Sequence, residues 1–388
     1  DAVRALYGGA VTLSASRMDM ARSCHFAYFM RYGLKARERT GAGFDAPQIG
    51  TFVHDVMEHT LRQAKECGGL HTLSKDKLHA LVRASIEEYI DRVLPDLCEK
   101  SARFRYLFNR LCATVERIMD EVSEELQSSD FEPLAFELEF GADGQLPAIT
   151  IREENGTARV VGKVDRVDGW LHDGKLYLRV VDYKTGKKSF DLAELRYGLG
   201  LQMLLYLFTL KEEGQMLFGG HEIVPAGVLY TPAREPMLRC ARDTEPETIE
   251  KALKKELRRS GMVLEDPAVL QAMEHSALES PCYLPIAVKR DGAVTGSLAS
   301  AEQLGKLSKY VDHILHEITQ EVFAGNIDAD PYARTPQQSA CTYCEFASAC
   351  HFENGCGSDR MEYIKATKND EFWQYIDEVN GEGAHENG

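Results

Sequence analysis

Residues 162–206 constrain this chain most. They read GKVDRVDGWLHDGKLYLRVVDYKTGKKSFDLAELRYGLGLQMLLY. A strand carrying Asp165 runs into the turn signal His172-Asp173-Gly174, and a second strand follows over 176–182. The second strand is apolar and β-branched, as a strand buried in a sheet is, and it delivers Asp182 and Lys184 at its end. The next apolar segment has helical spacing and places Gln202 and Tyr206 one turn apart on one face. Strand, turn, strand, helix in this order is the pattern of an α/β fold.

Two carboxylates on adjacent strand ends can hold a hard divalent cation through oxygen. Side chains alternate along a strand, so Asp182 and Lys184 point to the same side. A lysine beside the cation can lower the pKa of an attacking water or steady the charge growing on a phosphate. The chemistry suggested is metal-assisted cleavage of a phosphodiester. A lone Asp-x-Lys would read as strand-end charges at a solvated turn. Here a second acidic strand, a Gln-x-x-x-Tyr helix and an upstream helical histidine accompany it.

Length and charge limit the alternatives. The 388 residues suffice for one large domain or two modest ones. No run of 18 apolar residues occurs, so no membrane span is expected. The start, Asp1-Ala2-Val3-Arg4, has neither the basic nor the apolar region of a secretory signal, which points to the cytoplasm. The absence of an initiator methionine reads as an excised part of a larger protein. Without a G-x-x-x-x-G-K-[ST] loop this piece alone is not expected to hydrolyse ATP. The net charge of −16 argues against a nucleic-acid partner when taken as a sum. Local clusters argue the other way: Lys35, Arg37 and Arg39; Lys184, Lys187 and Lys188; and Lys254, Lys255, Arg258 and Arg259. The first two flank the proposed site, and the third reads as a solvated helix face. An acidic nuclease needs a concentrated basic channel, or a partner that supplies one.

Residues 1–45 form an N-terminal segment whose hydroxyl run Leu13-Ser-Ala-Ser16 starts a helix. That helix places Cys24 at its middle and ends near Gly33. Residues 40–43 read as a flexible break. The core spans 46–325. An amphipathic helix over 50–67 has Phe52, Val53, Val56, Met57 and Leu61 as its apolar stripe. His54 lies near that stripe, where a single histidine is more often a structural residue than a ligand. Residues 74–128 are scaffold helices, and Arg103, Arg105 and Arg110 read by default as part of a solvated face. Strands follow over 134–152, a further strand over 221–233, and an insertion over 233–300 that reads as irregular around a charged helix. A long helix covers 301–323. Residues 326–360 hold a cysteine-rich segment. The tail, 361–388, is expected to end in disorder from Val379 onward.

The chain has ten cysteines. Without a secretory signal a disulfide framework is not expected. Cys341-x-x-Cys344-x-x-x-x-x-Cys350 is a compact triad that needs a fourth ligand to complete either a zinc site or an iron–sulfur cluster. Cys356 competes for a ligand position.

GKVDRVD, VDYKTG and QMLLY resemble the motifs of the RecB-type branch of the PD-(D/E)XK nucleases. The resemblance implies a restriction-endonuclease-like core: a mixed central sheet flanked by helices, with helical additions. It also implies Mg²⁺ or Mn²⁺ on Asp165 and Asp182, with His54, in a Gly-x-x-x-His context from Gly50, as a further ligand. Glu137, with Phe140 and Gly141, resembles the first acidic motif and would be a weaker or outer metal contact. Glu139, two residues on, is its rival. Lys184 would activate water, Gln202 would position Lys184 or a phosphate, and Tyr206 would pack against the strand. The sequences CHFAYFMRYGL and CTYCEFASACHF further resemble the nuclease domains of AddB-type helicase–nuclease subunits. That implies a 4Fe-4S cluster on Cys24, Cys341, Cys344 and Cys350, stapling the two ends of the domain together. The activity implied is a Mg-dependent DNA exonuclease, 5′-to-3′, in double-strand break repair and recombination, with DNA as substrate and an AddA-type helicase–nuclease as partner. One alternative is a CRISPR-associated iron–sulfur nuclease, in which 74–128 and 233–300 would be surplus. Another is a catalytically silent DNA-binding scaffold. The joint presence of His54, Asp165, Asp182 and Lys184 speaks against the second.

Overall fold

The computed structural model describes residues 2–37, 46–142, 144–241, 243–335 and 337–381. Its centre is a six-stranded sheet whose strands lie side by side in chain order: Glu132–Phe140, Gly162–His172, Lys175–Lys184, Glu222–Pro232, Ser260–Leu264 and Leu298–Ala299. The first three are antiparallel, the second and third joined by a tight turn at Asp173-Gly174. The third and fourth are parallel, and the chain between them contains the helix Gln202–Glu213, which packs on both. The sheet is therefore mixed, as expected. The third and fourth strands are almost wholly buried apolar runs, Val180, Val181, Val228 and Leu229 among them, as central strands covered on both faces are.

Three helices, Ala46–Glu66, Lys75–Val93 and Ala102–Gln127, pack on one another, the last two being the helices expected over 74–128. The anticipated stripe Phe52, Val53, Val56, Met57 and Leu61 is buried. The long helix Ala301–Ala324 starts with a Ser300/Gln303 capping box and stops at Gly325, which takes the left-handed φ of +77°. It packs against the Gln202–Glu213 helix and against a second, three-stranded sheet. That sheet joins Ala10–Leu13 to the hairpin Ile149–Glu153 and Gly156–Val160.

Four expectations need correction or completion. Cys24 is not mid-helix: the helix Ala15–Ser23 stops there, Cys24 is extended at φ −174°, and a new helix starts at His25. The 233–300 segment is not merely irregular, since it contributes Ser260–Leu264 and Leu298–Ala299 to the central sheet. Arg259 does not join Lys254 and Lys255 on a solvated face. It is 3% exposed, because the helix ends at Leu257 and the chain turns inward. Val379 closes a C-terminal helix, Asn369–Val379, that buries Phe372, Trp373 and Ile376. The proposed break at 40–43 and the last residues of the tail lie outside the described residues.

Candidate metal centre

The site begins where two strands part. Pairing between the Asp165 and Asp182 strands runs from His172–Lys175 to Arg166–Val181 and ends there. Beyond that point the backbone of Tyr183 faces a gap rather than a neighbouring strand, and buried backbone groups must find partners. The Tyr183 N–H donates to Asp165 Oδ2 at 2.8 Å. The Tyr183 carbonyl accepts from His54 Nε2 at 2.9 Å. The two side chains that fill the gap are thus the proposed ligands themselves.

With Nε2 donating to a carbonyl, His54 turns Nδ1 toward Asp165 Oδ1, 3.3 Å away, and Glu137 Oε1, 4.0 Å away. His54, Glu137 and Asp165 each offer an atom to one cluster whose members lie within 4.8 Å of one another. Ionised carboxylates are acceptors only, and Nδ1 is an acceptor unless protonated. Such a convergence favours a cation: a proton on the imidazole, the Lys163 ammonium that reaches Glu137, or a metal ion. Burial alone would hold the His54 imidazole down. The Asp165 carboxylate overrides this and, with the Tyr183 carbonyl and Asp182, pushes it up to about 9. The donor set of one imidazole and two carboxylates fits a hard or borderline divalent ion, and the hydrogen bond on Nε2 fixes the ring as outer partners of metal-bound histidines do.

Glu137, not Glu139, reaches this cluster. Glu137 lies opposite Asp165, between the pairs Phe136–Arg166 and Leu138–Val164. Its φ is +49°, a conformation costing a non-glycine residue about 1–2 kcal/mol. Phe136, Leu138 and Phe140 are buried and alternate with the two glutamates, which share the other face and differ in depth. Glu137 is drawn in and Glu139 is left exposed. Lys163, to which the sequence pattern assigns no role, holds Glu137 Oε2 at 2.6 Å and Glu139 Oε1 at 3.4 Å.

Asp182 stands beside this cluster and faces Lys184. The ammonium lies 2.6 Å from Asp182 Oδ2 as an ion pair, without the alignment of a good hydrogen bond. Burial first, and then the neighbouring Asp165, push the Asp182 carboxyl up to about 6 against the pull of Lys184. Gln202 Nε2 donates to the Tyr206 hydroxyl at 3.1 Å. Tyr206 packs edge-on against Phe140, ring centres 5.2 Å apart. A side chain at Gly162 would enter both rings, its Cβ 2.5 Å from each. A groove of about 680 Å³ leads from Lys163, Gln202 and Tyr206 to Ser14, Ser16 and Asp19.

A second cleft, about 920 Å³, shares Ser16 and Asp19 with that groove and is lined by Cys24, Cys341, Cys344 and Cys350. Cys356 is exposed and does not line it. Ionic contacts bring Cys24 across the sequence to the triad. The His25 N–H donates to Asp330 Oδ1 at 2.8 Å, and its ring contacts Asp330 Oδ2 at 2.5 Å and Glu321 at 3.3 Å. Arg22 holds Glu317 and Glu321, and Arg31 holds Glu345. Burial pushes the Cys24 thiol up to about 11, so in the metal-free state it is a thiol. Among the described residues no three cysteine sulfurs lie within 4.8 Å of one another.

Behind the site lies a feature that sequence reasoning missed. Arg166, Asp168, Arg179, Glu125 and Arg259 are all at most 3% exposed. Asp168 accepts from Arg166 and Arg179, each at 2.9 Å. Glu125 accepts from Arg259 at 2.6 and 3.0 Å and lies 3.3 Å from Arg179. Arg166 also donates to the Tyr183 hydroxyl at 2.7 Å. The available signal was charge inside β-branched strands, DRVD and LRVVD, where an unpaired charge would be untenable.

Residues 12–351 match the family model described as the PD-(D/E)XK nuclease superfamily. Among curated relatives, an ATP-dependent helicase/deoxyribonuclease subunit of Thermoanaerobacter sp. is 31% identical over 386 residues, covering 98% of this chain and 33% of the relative. The protein of the same name from Caldanaerobacter subterraneus subsp. tengcongensis is 32% identical over 391 residues, covering 100% of this chain and 33% of its own length. That of Acetivibrio thermocellus is 33% identical over 378 residues, covering 96% and 33%. The chain spans about a third of the length of these relatives.

Proposed function

Since this chain belongs to the PD-(D/E)XK nuclease superfamily, we propose that it is a divalent-metal-dependent deoxyribonuclease, the nuclease domain of an AddB-type helicase–nuclease subunit. The observation that carries this reading is the convergence of His54, Glu137 and Asp165 beside the Asp182–Lys184 pair. Mg²⁺ or Mn²⁺ bound there would acidify water and offset charge on the scissile phosphate. His54, Glu137 and Asp165 would hold the ion, and Asp182 would be the adjacent carboxylate for a shared or second ion. Lys184 steadies the negative charge that grows on the phosphate in the transition state. Water attacks phosphorus in line and gives up a proton to solvent as its P–O bond forms; the P–O3′ bond breaks, O3′ takes a proton from solvent and leaves as a hydroxyl, and a 5′-phosphate remains. Gln202 and Tyr206 support the strand end and line the groove the nucleic acid follows.

The substrate is DNA, cut from the 5′ end as the AddB-type likeness implies, and the partner is an AddA-type subunit. The name those relatives carry, an ATP-dependent helicase/deoxyribonuclease subunit, supports a DNA substrate and a multi-subunit assembly; the role in recombinational repair, in the cytoplasm, follows from the AddB-type likeness. The lysines at the site are few, so much of the basic channel belongs to that partner or to the rest of the subunit. Cys24, Cys341, Cys344 and Cys350 hold a 4Fe-4S cluster. The AddB-type likeness favours it over a single zinc ion, which the same four thiolates could also hold.

The test is cleavage of an end-labelled duplex with Mg²⁺ or Mn²⁺ by the wild-type chain and by Asp165→Asn and Asp182→Asn. Both substitutions should abolish cutting and leave the circular dichroism spectrum and the visible absorbance of the cluster unchanged. Metal-dependent cutting by clean Asp165→Asn protein would refute the site.

A further inference from the structure

Tyr183 sits between Asp182 and Lys184 in sequence, yet its side chain points away from the phosphate chemistry, into the core. It is 3% exposed. Its hydroxyl accepts from Arg166 at 2.7 Å, and the Arg166 guanidinium lies over its ring at 5.6 Å. Its backbone does the opposite. The N–H holds Asp165 at 2.8 Å and the carbonyl holds His54 at 2.9 Å. Its ring edge also meets the His54 ring, with centres 6.2 Å apart. One residue is thus gripped from behind by a buried guanidinium and in front grips two of the three residues of the candidate metal cluster.

The grip continues away from the site. Arg166 pairs with Asp168, Asp168 with Arg179, Arg179 with Glu125, and Glu125 with Arg259. Arg259 comes from the 233–300 segment, and Glu125 from the scaffold helix Ala102–Gln127. Three guanidiniums face two carboxylates in the core, an arrangement that apolar residues of similar volume often match or exceed in stability. What apolar residues cannot do is fix a hydroxyl at one point. Ladder pairing with the Asp165 strand has ended here, so on that side only the Asp165 side chain holds the Tyr183 backbone, which keeps its register with Thr231 on the other.

We propose that Tyr183 is a positioning residue for the metal centre, and that the buried chain Arg166–Asp168–Arg179–Glu125–Arg259 anchors it. The Tyr183 hydroxyl sets the height of the strand end, and so the separation of His54 Nδ1 from Asp165. This gives the 233–300 segment a role: through Arg259 it closes the anchoring chain. The inference rests on the metal-site reading above.

The test is direct Mn²⁺ binding, monitored through the loss of the free-ion signal in electron paramagnetic resonance, without DNA or turnover. Tyr183→Phe keeps the ring and removes only the hydroxyl. Its Mn²⁺ affinity should fall about tenfold, the lower end of the range for lost outer partners of metal ligands. Leu315→Ala truncates the core in a helix outside the anchoring chain and serves as a control for lost stability. It should bind Mn²⁺ as wild type does. Should Tyr183→Phe prove too unstable to purify, Arg259→Lys carries the same test from the far end of the chain. Affinity within twofold of wild type in the variant tested, or an equal loss in Leu315→Ala, overturns the proposal. Asp165→Asn separates the two layers. If it abolishes binding while the positioning variant does not weaken it, only the positioning role falls. If it binds as wild type does, the metal site itself is misassigned.

Discussion

Glu125→Gln measures the buried ion chain directly. The substitution keeps size and hydrogen-bonding capacity and removes one negative charge, leaving Arg166, Arg179 and Arg259 to face Asp168 alone. Burial would push the Glu125 carboxyl up. The guanidiniums of Arg259, Arg179 and Arg166 outweigh it and hold the group at about 2, against an ordinary 4.5. Each unit is worth about 1.4 kcal/mol, so neutralising Glu125 in the folded state should cost about 3 kcal/mol. That agrees with the roughly 3–5 kcal/mol expected for breaking a buried pair from one side. The pH dependence follows from the depressed value. The stabilisation is complete above the unfolded value of 4.5 and is lost as pH falls through the folded value of about 2. Urea unfolding can be followed by the fluorescence of Trp170, which lies 6.1 Å from Phe131, the ring beneath Arg179. At pH 7 wild type should exceed Glu125→Gln by about 3 kcal/mol, and near pH 3 by about 1 kcal/mol. A difference under 1 kcal/mol at pH 7, or one that does not shrink toward pH 3, would show that the chain of charges contributes no such stability.

Other outcomes follow from single contacts. Glu137→Gln should weaken Mn²⁺ binding, while Glu139→Gln should leave it unchanged, because only Glu137 reaches the cluster; calorimetric titration compares them. Gly162→Ala should lower the thermal midpoint and reduce cleavage, since its Cβ would lie 2.5 Å from the rings of Phe140 and Tyr206 and overpacking costs about 1–3 kcal/mol. Anaerobic purification of Cys24→Ala should yield protein without the broad absorbance near 400 nm and with little iron, while Cys356→Ala retains both. A cluster indifferent to Cys24 would remove that residue from the ligand set.

Much of the site was legible because it is local. Asp165, Asp182 and Lys184 fall at strand ends, and Gln202 and Tyr206 one helical turn apart, and a period of two or of 3.6 residues is written into the sequence itself. The amphipathic stripe around His54 and the stop at Gly325 were legible for the same reason. The contest between Glu137 and Glu139 was not. Alternation assigns both to one face, as the structure has them, and only position along the strand separates Glu137, beside His54 and Asp165, from exposed Glu139. The inward turn of Arg259 was hidden as well, since a basic residue at the end of a charged helix reads as solvated until a buried carboxylate is found for it.

The sequence by itself determined the elements, the chemistry available at their ends and the family whose motifs they form. Tertiary structure alone decided which groups meet. His54 reaches Tyr183 across 129 residues, Arg259 reaches Glu125 across 134, and His25 reaches Asp330 across 305, carrying Cys24 to its triad. Local propensity acts over a few residues. Contacts at these separations form only when whole helices and strands pack, and charge pairing in a dry interior then selects one arrangement among those that packing allows.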